Sequence, residues 1–139
     1  MMKNGTVYIG LLLFTLTFSM TTKGQNFIGL PKSEISGLLK TVNPHFKPDR
    51  NAINPTYKYL KYVDKIGEQT ILFFLSDKDV CTFVRWICDY SNLTDMTDML
   101  NRKYHKNGPN LWSYSEKGSN YVVTLVEDEW YFTVSFRKN

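Results

Sequence analysis

The chain has 139 residues, 42% hydrophobic, 15% aromatic and 22% charged, with eight Gly and five Pro; this balance excludes a disordered or collagen-like chain and suits one packed domain rather than two. Seventeen Lys and Arg face 13 Asp and Glu, and with Lys3 and Lys23 set aside in a leader the remainder is 15 basic to 13 acidic, a net +2 scattered along the chain. A surplus that small, without a basic stripe, argues against a nucleic-acid partner.

In chain order, residues 1–24 read as a secretory signal. Lys3 opens it, Val7 to Phe18 forms its apolar run, and Thr22 and Gly24 precede a cut before Gln25. The run of 12 residues would span only ~18 Å as a helix against a hydrocarbon core of ~30 Å. Leader removal is therefore expected to leave no stable membrane span, and residues 25–139 to form a single secreted or periplasmic domain. Ile35, Leu38, Leu39 and Val42 then fall at helical spacing behind Pro31, and Asn43-Pro44 ends that helix. The loop from Asn43 to Thr56 carries Pro44, Pro48 and Pro55 with Phe46, Lys47 and Arg50 among them. Two readings of it stand: a preformed contact arm, or a surface loop that docks Phe46 on its own core.

Tyr57 to Val63 reads as a strand, and Ile71 to Trp86 as a hairpin with an acidic turn at Asp77-Lys78-Asp79. A second helix follows. Leu93, Met96, Leu100 and Tyr104 make its apolar stripe, Ser91 or Asn92 is the expected cap, and Gly108-Pro109 the stop. Leu111 to Ser115 is again a strand, and Tyr121 to Phe136 a hairpin turning at Glu127-Asp128-Glu129. An offset of 50 aligns Leu75 with Leu125, Asp77 with Glu127, Asp79 with Glu129 and Val84 with Val134. The expected fold is α+β, a tandem α-β-β-β repeat over about 27–90 and 91–139. Its strands should join into one antiparallel sheet of about six, with both helices on one face because each has one apolar stripe to bury.

Alternation assigns the faces. Val80, Val84 and Trp86, with Trp130, Val134 and Phe136, are expected beneath the helices. The opposite parity, Cys81, Phe83, Arg85 and Ile87 with Tyr131, Thr133, Ser135 and Arg137, is expected on the open face. Cys81 and Cys88 lie seven residues apart, roughly 23 Å if both lie on one extended strand, too far for a disulfide unless the strand bends or the bond is intermolecular, and their odd spacing points them to opposite faces, as two separate semi-buried thiols.

The order of elements, the tandem, and the phrase Gly29-Leu30-Pro31-Lys32-Ser33-Glu34-Ile35 opening the first helix are similar to a superfamily of exported bacterial domains. It includes the beta-lactamase inhibitory protein and small lipoproteins that assist outer-membrane protein assembly. The resemblance implies binding of other proteins through a sheet face and loops, and no active site. The chain departs from that superfamily in having no lipidation Cys after the leader and no disulfide-like Cys pair inside each repeat.

No complete catalytic, cofactor or metal motif is written in the chain. The two histidines, His45 and His105, follow the two helices without Cys or acidic partners at ligand spacing. The acidic turns lack the Gly-punctuated oxygen pattern of a calcium loop, and Ser36 and Ser119 have structural settings with no nucleophile elbow. Asn92-Leu93-Thr94 matches a glycosylation acceptor at a helix start. The leading expectation is a non-enzymatic domain without cofactor or metal, binding a protein or peptide through Phe83, Arg85 and Tyr131, extended by Phe46 and Arg50. Two alternatives belong to other classes: a small envelope hydrolase or metal-dependent enzyme near His45 and His105, and a structural module that associates through its sheet edges.

Overall fold

The computed structural model describes residues 26–50 and 58–139. The leader and part of the proline loop, with Tyr57, lie outside the described residues. A helix followed by four strands occurs twice: α1 (Lys32–Val42), β1 (Lys47–Pro48), β2 (Tyr59–Asp64), β3 (Gln69–Leu75) and β4 (Cys81–Cys88), then α2 (Leu93–Lys103), β5 (His105–Gly108), β6 (Leu111–Glu116), β7 (Ser119–Glu127) and β8 (Phe132–Lys138). All eight strands form one antiparallel sheet in the order β1-β2-β3-β4-β8-β7-β6-β5. The last strand of each half therefore pairs with the other at the centre, Val84 opposite Phe136 and Trp86 opposite Val134.

Eight strands replace the expected six. The two additions, β1 and β5, are the sheet's edges, two and four residues long. Neither shows alternation, because an edge of that length needs only a few backbone hydrogen bonds and no buried side chain. Both are short, and they carry Lys47, Pro48 and Lys106, features that blunt edge-to-edge pairing.

Both helices lie on one face. Ile35 and Leu39 of α1 pack on Tyr62, Ile71, Phe73 and Val84, while Met96 and Leu100 of α2 pack on Cys88, Trp112, Val123, Leu125, Phe132 and Val134. Val84 and Cys88 share a parity on β4, so the two clusters occupy the same side of the sheet. Trp86 and Phe136 touch both clusters and form the seam between them.

Two local placements, those of Cys81 and Trp130, differ from the alternation, and Phe46 follows the second of the two readings of its loop. Phe74 pairs with Phe83 but Leu75 pairs with Cys81, a bulge in which two residues of β4 face one of β3. The bulge returns Cys81 to the helix side, where it is 1% exposed. Cys81 and Cys88 are thus both free and buried on one face, in separate clusters, rather than on opposite faces. Trp130 precedes β8 in the β7–β8 turn and is 78% exposed, so it does not lie beneath a helix; Phe132 takes the core position instead. Phe46, a proposed contact residue, is 3% exposed, with its ring edge-on to Trp86 at 6.2 Å. The burial of a large ring against the seam outweighs its exposure on a loop.

Turn chemistry pins the elements. The Asp64 carboxylate, itself buried, accepts from the N–H of Ile66 and Gly67 at 3.1 and 3.0 Å. A Cβ at Gly67 would come within 2.6 Å of Asp64 Oδ2, so any larger residue there must displace the Asp64 carboxylate. Between β6 and β7, Lys117 and Gly118 both take positive φ, as a type I′ hairpin demands. At the start of α1, the Lys32 N–H donates to the Asp79 carbonyl (2.8 Å), so the β3–β4 tip satisfies an otherwise orphaned helix donor. Neither Ser91 nor Asn92 caps α2 with its side chain. Asp89 accepts from the Ser91 N–H in the preceding turn, and Asn92 Nδ2 reaches the Gly67 carbonyl at 2.9 Å, joining the two halves.

Candidate functional site

The sheet face away from the helices carries the alternate residues of every long strand. One cross-strand row runs Tyr59, Phe74, Phe83, Arg137, Val122 and Ser113, and the next runs Lys61, Leu72, Arg85, Ser135, Thr124 and Leu111. No described helix covers these rows. The first half supplies the aromatic side of the face and the second half the hydroxyl side.

Phe83 and Arg85 come together as expected from their spacing. The Arg85 guanidinium sits 5.5 Å from the Phe83 ring centroid and 5.8 Å from that of Phe74, while the Phe74 and Phe83 rings lie 5.5 Å apart, edge to face. Tyr59 extends the row at 5.7 Å from Phe74. The two rings hold the guanidinium while Arg85 stays exposed, which pre-organises it for an acidic or carbonyl partner. Phe74 and Tyr59 were absent from the expected site because only the pairing of β2, β3 and β4 brings them beside Phe83.

The other expected contact residues are elsewhere. Tyr131 lies just before β8, beyond the Cys88–Phe132 pair, whereas Phe83 pairs with Arg137 at the opposite end of that ladder. Some six residues at ~3.4 Å each separate them by roughly 20 Å. Tyr131 instead keeps company with exposed Trp130 and Val126 at a hairpin tip, and the Tyr90 hydroxyl donates to the Asp128 carbonyl there. Arg50 is exposed at the β1 edge beside Asp49, whose carboxylate pairs with Lys61 at 3.3 Å.

His45 precedes edge strand β1 and His105 begins edge strand β5, and both are exposed. Seven strand spacings of ~4.8 Å lie between those edges, so the two imidazoles do not converge. Among the described residues no three His, Cys, Asp or Glu side chains cluster as a metal site. No described helix is long and apolar enough to cross a membrane. At the first acidic turn, hydrogen bonding from Lys58 holds the Asp79 carboxyl below its ordinary range, so one of its acids is already paired within the chain.

A second concavity, unannounced by any motif, opens on the helix side. It is a cleft of about 230 Å³ between α1 and α2, floored by Phe73, Val84, Trp86 and Phe136. Of its lining, periodicity marks Leu39, Val42, Tyr104, Val84, Trp86 and Phe136 as core. The gap exists because the two helices each serve their own cluster and neither covers the seam completely.

Compared with protein-family models, with curated proteins and with solved structures, the chain shows no match.

Proposed function

We propose that the chain is an exported, non-enzymatic domain that binds a protein or peptide across the open sheet face, with Phe83 and Arg85 as anchors and Phe74 and Tyr59 beside them. The single observation supporting it is the guanidinium held over two rings on a sheet face that no described helix covers. Aromatic rings and Arg supply large contact free energies per side chain and lose little freedom on binding. The tandem organisation and the similarity of the first-helix phrase to the exported inhibitor and assembly-lipoprotein superfamily point the same way. Arg85 and Arg137 on neighbouring rows favour a partner presenting carboxylates or carbonyls next to apolar groups.

The test is site-specific photo-crosslinking in an envelope extract from a photoreactive residue at Ser135, inside the face, or at Asp98 on exposed α2. A partner captured from Ser135 and not from Asp98, and lost in Phe83→Ala and Arg85→Ala proteins of unchanged stability, supports the reading. Equal capture from both positions, or capture that survives both substitutions, removes it. Sedimentation over a range of concentrations separates this reading from self-association.

A further inference from the structure

We propose that the cleft between α1 and α2 is a binding site for a short- or medium-chain amphiphilic carboxylate, its chain lying over Phe73, Trp86 and Phe136 and its head group meeting Lys103. Three independent observations carry this. The cleft floor and walls are mostly apolar, built chiefly from rings and aliphatic side chains that the two helices leave uncovered at the seam. Its lining contains one formal charge, that of Lys103 at the C-terminal end of α2. Lys103 makes no ion pair with any described residue, its ammonium resting instead 5.5 Å from the centroid of the Tyr104 ring.

An ammonium that is partly withdrawn from water without a counter-ion is costly, and an incoming carboxylate relieves that cost while an alcohol or amine does not. Burial pushes the Lys103 pKa down to about 8, in the direction an uncompensated site requires. The amide of Asn26 and the Tyr114 hydroxyl, hydrogen-bonded to one another at 3.2 Å, add polar groups on the same lining. The volume of about 230 Å³ falls just under the ~300–1,000 Å³ common for drug-sized ligands, which limits the guest to a compact chain. Val42, 40% exposed, stands at the rim and marks an opening to solvent.

Isothermal titration of the purified protein with decanoate, decanol, decylamine and palmitate tests the proposal. Decanoate is expected to bind one to one, more tightly than each of the other three. Lys103→Met should weaken decanoate about tenfold or more, the scale of a lost charge-assisted contact, and leave decanol unchanged. Val42→Trp, at a rim position 40% exposed, should block decanoate. Urea midpoints of both variants no lower than that of the parent protein show that the fold persists. Decanol binding as well as decanoate, decanoate binding that either variant leaves intact, or no heat from decanoate up to its solubility limit would each overturn the proposal.

Discussion

The two halves of the molecule follow one order of elements and solve the core differently. In the first, the helix contributes Ile35 and Leu39, and the shortfall is made up by Phe46 from the loop and Cys81 from a bulge. In the second, Met96 and Leu100 meet Trp112, whose indole N–H donates to Asn101 Oδ1 at 2.9 Å, so one large side chain fills the space and ties helix to sheet. The lesson is that a repeated pattern specifies the layers and leaves the filling to local chemistry. Where two such fillings meet, at Trp86 and Phe136, they share a wall without merging, and a cleft remains.

Core truncation should strain this comparison most. Phe73→Ala in the first cluster and Phe132→Ala in the second each remove a fully buried ring, with an expected loss of ~3–5 kcal/mol in urea unfolding. Because β4 and β8 pair along six residue pairs at the centre of the sheet, both variants should unfold in a single transition. Two separated transitions would show that the halves are independent.

Alkali should come next. Burial raises the Cys81 pKa to about 11, that of Cys88 to about 12 and that of Tyr104 to about 12, and raises that of Tyr114 as well. Raised groups hold protons in the folded state that the unfolded chain releases earlier. Their contribution is complete below the unfolded values of 9.0 for Cys and 10.0 for Tyr, and is lost as pH climbs toward the folded ones. Lys103 acts oppositely: lowered from 10.5 to about 8, it costs stability at neutral pH and regains it as pH rises between those values. Urea midpoints should therefore rise slightly from pH 8 to 9 and fall from pH 9.5 upward, with the initial rise absent in Lys103→Met. A midpoint climbing steadily to pH 11 would contradict the buried thiols.

The cysteines, both on β4, also provide one native reporter per core cluster. Both should resist a disulfide reagent in the folded protein at pH 8 and react fully in urea, and single-Cys variants then report each cluster's opening separately. Equal labelling rates in partial denaturant would indicate joint opening; faster reaction at Cys81, beside the bulge, would mark the first cluster as the looser. The smallest effect belongs to the connection between them. Gly67→Ala drives a methyl into Asp64 and disturbs the carbonyl that holds Asn92, with an expected cost of ~1–2 kcal/mol by denaturation. A neutral Gly67→Ala would show that the turn relaxes freely.

Much of the architecture was legible before any coordinates. The stripe Ile35, Leu39 and the stripe Met96, Leu100 mark helices that bury those residues, since a 3.6-residue period has few alternatives over three turns. The long strands and their turns follow from alternation and from Gly67, Gly118 and the acidic tips. The edge strands did not show, because two to four exposed residues carry no period. Trp130 was misplaced because alternation continues numerically into a turn where the backbone no longer alternates. Of the expected surface residues, Phe83 and Arg85 meet because they share a strand and a parity; Tyr131, Phe46 and Arg50 scatter because nothing local ties them to that strand.

Composition and periodicity suffice for the class of this protein, α+β with an antiparallel sheet, and for the buried stripe of each helix, because these depend on residues within a few positions of one another. The bulge that turns Cys81 inward, the ring cluster around Arg85 and the cleft beside Lys103 arise from contacts between residues far apart in the chain. Such contacts are settled by strand register and by how two separately packed clusters abut, and no local pattern encodes either.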